Sequence, residues 1–150
     1  MNETPLQRAK SLFSGSIGFY EAARALNQVT GELHWPAFTV LMSYAAELSI
    51  KAFIIHKSPA ADDNMLREIG HKLNSGLTMA IELGYTPPNW VTADLFNMLN
   101  DHHVNHYARY LSGPPVVMKP HAIMLAAMAD HLTSIGAQIS IPISLQSPAR

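Results

Sequence analysis

Residues 35–57 are mostly apolar, yet they contain an acid and a base four positions apart. Glu47 precedes Lys51, an order that lets the two side chains attract each other on one face of a helix. The same face carries three further residues with large side chains: Val40, Tyr44 and Ile54. We therefore expect a helix that packs against other helices and an ion pair that is half buried. Because desolvation offsets much of the attraction in such a pair, its presence needs a structural or functional reason.

Prolines and glycines divide the chain into helical segments. Thr4-Pro5 and Thr86-Pro87 are both start signals, in which a capping threonine precedes proline. Gly84 is a candidate C-terminal cap. Apolar residues recur at helical spacing between the breaks, and no useful length of sequence alternates with period two. We predict helices over about residues 5–27, 35–57, 71–83, 88–111 and 120–139, with a short helical turn at residues 64–69 before Gly70.

The predicted fold class is all-α, an antiparallel bundle of four long helices plus a shorter helix, joined by short loops. A chain of 150 residues is one domain by length, so residues 1–150 form a single unit. Residues 140–150 include two prolines, and we expect a tail that is loose or packs as extended chain.

The composition narrows the classes of function. Charged residues make up 14% of the chain, against roughly 25% in a typical soluble domain, so we expect part of the surface to be covered by a second subunit. The absence of cysteine excludes disulfides, zinc–cysteine sites and thiol catalysis. A formal net charge of -1 provides no long-range attraction to nucleic acid, although it leaves room for a local basic site.

The sequence favours a soluble, cytoplasmic protein with no membrane association. The first residues have neither the basic start nor the apolar run of a signal peptide. The apolar run at residues 122–129 is far shorter than the ~20 residues that a membrane-spanning helix needs.

Three of the eight histidines lie within residues 101–106. His102 and His106 are one helical turn apart, and two neutral imidazoles at this spacing can bind a transition metal. Further ligands would come from facing helices, with three candidates: Glu47, His71 and His34. The alternative is that these histidines are polar residues on a helix flank.

The second half of the predicted helix 88–111 carries a polar strip: His102, His106, Arg109 and Tyr110. Packing against residues 35–57 would bring this strip towards Glu47 and Lys51. Arginine can hold two phosphate oxygens and lysine supplies a point charge, so the combination predicts a phosphate-binding cleft in which Glu47 orients the cations. The alternative is a buried polar network that only sets the helix register.

Three motifs together resemble the HEPN superfamily, helical domains of nucleotide-binding proteins from higher eukaryotes and prokaryotes. They are Ala46-Glu47-Leu48-Ser49-Ile50-Lys51-Ala52, Gly70-His71-x-Leu73 and Ala108-Arg109-Tyr110. The resemblance covers roughly residues 35–135. It implies a helical domain that binds nucleotide or RNA, is a homodimer, and in some relatives works with a separate nucleotidyltransferase-like chain.

The chain departs from the ribonuclease members of that superfamily, which carry Arg, four to six residues, then His. Arg67 and His71 have only three residues between them, and no other arginine has a histidine at the required spacing. The resemblance therefore implies a non-catalytic member that binds nucleotide or nucleic-acid phosphate, with no cofactor. The candidate ligand-binding residues are Glu47, Lys51, His71, His102, His106, Arg109 and Tyr110.

Two alternatives remain open. His102-x-x-x-His106 resembles the histidine pair of metal-binding four-helix bundles of the DinB-like type, although the Glu47–Lys51 stretch does not belong to that pattern. The other alternative is a structural homodimerisation module without ligand, in which the polar residues only fix the packing.

Overall fold

A computed structural model of the chain describes residues 2–61, 63–105, 118–141, 143 and 145. Within these ranges the chain is helical and has no strand, which confirms the all-α helical bundle. The helices are α1 Pro5–Thr30, α2 Trp35–Lys57, α3 Asp63–Ile69, α4 Leu73–Glu82, α5 Trp90–Asn105 and α6 His121–Gln138. Among the helices within the described ranges four are long and two are short, and the second short one, α3, lies where the sequence predicted a helical turn.

Local chemistry explains how α1 begins and ends. The Thr4 hydroxyl accepts a hydrogen bond from the Gln7 backbone N–H, and the Gln7 side chain accepts one from the Thr4 N–H, with Pro5 in the first turn. The helix ends at Thr30, three residues beyond the predicted end at 27. Gly31 stops it with a positive φ of 57°, which glycine adopts without the cost a side chain would bring.

A turn separates the two short helices. Gly70 has a φ of 51°, and a Cβ atom at this position would lie 3.2 Å from the backbone oxygen of Arg67. The chain forms a turn here, and α4 begins at Leu73 rather than at residue 71. His71 consequently lies in the turn, outside both helices. Helix α4 buries Leu73, Leu77 and Ala80.

Helix α2 is at the centre of the bundle and contacts α1, α4, α5 and α6. Its length and composition would allow it to cross a membrane, and it is the one such helix among the described residues. However, 72% of its apolar window is buried by the surrounding helices, as is common for the core helix of a soluble protein. Helix α5 contributes three buried residues to this core: Leu95, Phe96 and Leu99.

The chain after α6 packs against the core where it is described. The Ile141 N–H donates to the Gly136 carbonyl oxygen at 2.8 Å, and Ile141, Ile143 and Leu145 are partly buried against the core. The described residues of this segment therefore contact the core. Residues 142, 144 and 146–150 lie outside the described part of the chain.

Candidate functional site

The carboxylate of Glu47 lies at the centre of a polar cluster. Its Oε1 atom accepts a hydrogen bond from Lys51 Nζ at 2.6 Å. Its Oε2 atom pairs with His71 Nδ1 at 2.8 Å and also with His103 Nε2. Glu47 is only 6% exposed, so the ion pair is more deeply buried than the sequence suggested. Both oxygens of a buried carboxylate are thus engaged.

Three elements bring these side chains together. Glu47 and Lys51 occupy successive turns of α2, His71 comes from the turn between α3 and α4, and His103 lies in the last turn of α5. The ring of Tyr44 packs edge-on against both imidazoles, with centroids 6.4 Å from His71 and 5.0 Å from His103. The two histidine rings are themselves 4.8 Å apart. Aromatic packing therefore limits the orientations the imidazoles can take.

The electrostatics of the cluster favour an ionised carboxylate. Burial alone would raise the pKa of Glu47, but hydrogen bonds from His103, Lys51 and His71, together with the Lys51 charge, lower it to about 2. The carboxylate is accordingly ionised at neutral pH. As an acceptor it requires a proton on His71 Nδ1 and on His103 Nε2.

The structure brings together three of the residues selected from the sequence: Glu47, Lys51 and His71. The fourth member is His103, whereas the sequence hypothesis selected its neighbour His102. The buried ring of His102 packs edge-on against Trp35, with centroids 6.1 Å apart. His106, Arg109 and Tyr110 lie outside the described residues, so their part in the site remains a prediction.

A sequence signal for His103 existed. Phe96, Leu99 and His103 follow the spacing of three and four residues that marks one helical face, and all three are buried. The i,i+4 pairing of His102 with His106 drew attention to a different face. Spacing within one helix does not show which of these two faces packs against α2, because both faces carry apolar residues in the first part of α5.

A cleft lies beside this cluster, between α1, α2 and α3. We call it the α1–α3 cleft; it has a volume of about 460 Å³, and its lining includes Arg8, Lys51, Arg67 and Asp63. Arg8 and Asp63 form an ion pair across it. Sequence reasoning did not select Arg8 or Arg67, because they come from segments far from Lys51 along the chain. Among the described residues, three cations and one acid therefore line the same cleft.

Searches against protein-family models, curated proteins and solved structures found no match. The fold and the site geometry thus provide the grounds for a functional hypothesis, beside the sequence resemblance.

Proposed function

We propose that this chain is a non-catalytic, HEPN-like domain that binds the phosphate of a nucleotide or nucleic acid in the α1–α3 cleft. The observation that carries the proposal is the convergence of Arg8, Lys51 and Arg67 on one cleft, where Asp63 is the one carboxylate among the described lining residues. A volume of about 460 Å³ lies within the range of small-ligand pockets, roughly 300–1,000 Å³.

The three cations that line the cleft differ in whether an acidic side chain neutralises their charge. Lys51 is paired with Glu47 behind the cleft, and Arg8 is paired with Asp63. That second pair is exposed, with side-chain exposures of 38% and 61%, so it contributes little and a phosphate can replace Asp63 as the partner of Arg8. Arg67 has no ion-pair partner among the described residues. A guanidinium group of this kind can hold two phosphate oxygens at once.

The resemblance and the cleft involve the same residues. Lys51 of the Glu–Lys motif and Gly70 of the Gly–His motif both line the α1–α3 cleft. Nucleotide or RNA as ligand, a nucleotidyltransferase-like partner chain and a cytoplasmic location remain predictions from the sequence.

The test is binding of ATP and of a short single-stranded RNA by calorimetry, in buffer free of phosphate and divalent metal. Arg67→Ala should weaken binding at least tenfold. Arg24→Ala is the matched control, because Arg24 pairs with Glu21 on α1 and does not line the cleft. Absence of binding to the unsubstituted chain, or equal weakening in both variants, would count against a phosphate site here.

A second candidate function is homodimerisation. Three large apolar side chains are exposed at 84%, 74% and 48%: Val29, Leu33 and Ile123. They lie at the same end of the bundle, because the backbone N–H of His121 donates to Glu32 Oε1 at 2.9 Å and so joins the start of α6 to the α1–α2 turn. Exposed apolar side chains at one end of the bundle, together with the low charge content, support contact with a second copy.

Light scattering after size exclusion tests the dimer. We expect a dimer for the unsubstituted chain and a monomer for Leu33→Asp. Ile81→Asp is the control, because Ile81 is 46% exposed but lies on α4. A monomeric unsubstituted chain would argue against a dimerisation module.

A further inference from the structure

Three metal-ligand atoms converge in the cluster around Glu47. One ligand atom from each of Glu47, His71 and His103 lies within 4.8 Å of the other two, and Glu47 Oε2 pairs with both His71 Nδ1 and His103 Nε2. We call these three residues the Glu–His–His cluster. They come from α2, from the turn after α3 and from α5, so a shared ligand would link three separate parts of the bundle.

The spacing of these atoms is close to what a tetrahedral ion needs. With metal–ligand bonds of about 2.0–2.2 Å, two ligand atoms on one ion are separated by roughly 3.4 Å. Glu47 Oε2 and His71 Nδ1 are now 2.8 Å apart, joined by a hydrogen bond. Small outward rotations of the two rings, with loss of the intervening protons, would open a site of the right size.

The surroundings hold the ligands in place. Glu47 Oε1 can keep its bond with Lys51 while Oε2 turns to an ion, and this second contact fixes the orientation of the carboxylate. Tyr44 packs against both imidazoles, and Tyr44 is itself stacked on Phe19 of α1 with centroids 5.3 Å apart. Burial of Glu47 and His103 shields the site, while the His71 side chain, 42% exposed, provides access from solvent.

We propose that the Glu–His–His cluster binds one divalent transition-metal ion per chain, with Zn²⁺ as the best fit. Two imidazoles and one carboxylate are the ligand types that suit zinc and its first-row neighbours, whereas Mg²⁺ and Ca²⁺ prefer sites built from oxygen. Three protein ligands leave a fourth position for water or another small ligand. This site is distinct from the His102–His106 pair, and it goes beyond the proposed phosphate cleft.

The test is titration of the chelator-treated full chain with Co²⁺ alone, followed by the visible ligand-field absorption of the bound ion. We expect saturation at one equivalent, loss of the absorption when Zn²⁺ is added, and a higher melting temperature with Zn²⁺. No nucleotide is present, so the result does not depend on the α1–α3 cleft.

Substitutions locate the ion. His71→Ala and His103→Ala should each lower Co²⁺ affinity at least tenfold, whereas His34→Ala, at an exposed position in the α1–α2 turn, should not. Circular dichroism checks whether each variant folds. If His103→Ala does not fold, His71→Ala provides the test, because His71 is half exposed. No absorption with the folded chain, or binding that survives both cluster substitutions, overturns the site. Loss in His102→Ala with no change in His71→Ala also overturns it and points to the other pair.

Discussion

The imidazole of His131 is held in one tautomer by the hydroxyl group of Ser49. Ser49 donates its only hydroxyl proton to the Ala46 carbonyl oxygen at 2.8 Å, so its Oγ can only accept from His131 Nε2, also at 2.8 Å. The Nδ1 atom of the neutral ring then accepts from the Tyr85 hydroxyl at 2.7 Å. This fully buried chain of hydrogen bonds connects α2, α6 and the loop before α5.

The burial of His131 predicts a loss of stability in mild acid. Burial lowers the pKa of His131 to about 3, against 6.5 for the ordinary side chain. The unfolded chain therefore binds a proton that the folded chain does not, and the stability present above pH 6.5 falls as the pH drops towards 3. We expect the titration of His131 alone to lower the free energy of unfolding by roughly 2 kcal/mol between pH 8 and pH 5. Urea unfolding across this range measures it.

The control for this pH effect is His131→Gln, which keeps a donor and an acceptor without a group that titrates. Burial also lowers the pKa of His102 and of His121, so some acid sensitivity should persist in the variant. Glu47 does not interfere, because its pKa rises only to its ordinary 4.5 on unfolding. Identical pH slopes for the two chains would show that His131 takes up its proton in the folded state.

Gly136 is predicted to be intolerant of a side chain. A Cβ atom there would lie 2.6 Å from the backbone oxygen of Ile141 and 3.2 Å from Phe13. Since a backbone atom cannot move aside as a flexible side chain can, Gly136→Ala should lower the free energy of unfolding by about 1–3 kcal/mol. Thermal and urea unfolding measure the change.

Gly18 is the matched control for that substitution. It is also helical, but nothing lies within 4 Å of a Cβ built on it. Gly18→Ala should therefore stabilise the chain by up to about 1 kcal/mol through helix propensity. The prediction fails if the two alanine variants change stability in the same direction.

Removing the Glu47 side chain should destabilise the bundle. Glu47→Ala would leave Lys51, His71 and His103 without their shared acceptor, in a region where two of the four groups are almost fully buried. We expect the free energy of unfolding to fall by about 2–4 kcal/mol, because an uncompensated buried polar group bears its full desolvation cost. Unfolding is measured in metal-free buffer, so that the result is independent of any bound ion.

Glu82→Ala provides the comparison, since Glu82 is exposed at the end of α4. An acid near a helix C-terminus is slightly unfavourable, so its removal should leave stability unchanged or marginally higher. Equal effects of the two substitutions would mean that the cluster around Glu47 contributes no net stability.

Helix boundaries could largely be read from the sequence, because the interactions that set them are local. The Thr4-Pro5 start signal acts within a few residues, and the central helix Trp35–Lys57 begins and ends at the predicted residues 35 and 57. The position of His71 in a turn was harder to predict. It depends on the positive φ of Gly70, which divides one expected helical region from the next.

What the sequence determined by itself was the helical class and the pairing of Glu47 with Lys51, since both depend on spacing along one chain segment. Only the tertiary structure decided that His103 rather than His102 meets Glu47. The two histidines are adjacent in α5 and point about 100° apart, so the rotation of α5 against α2 makes the choice. That rotation depends on how all the helices of the core pack together, so the sequence of a single helix does not determine it.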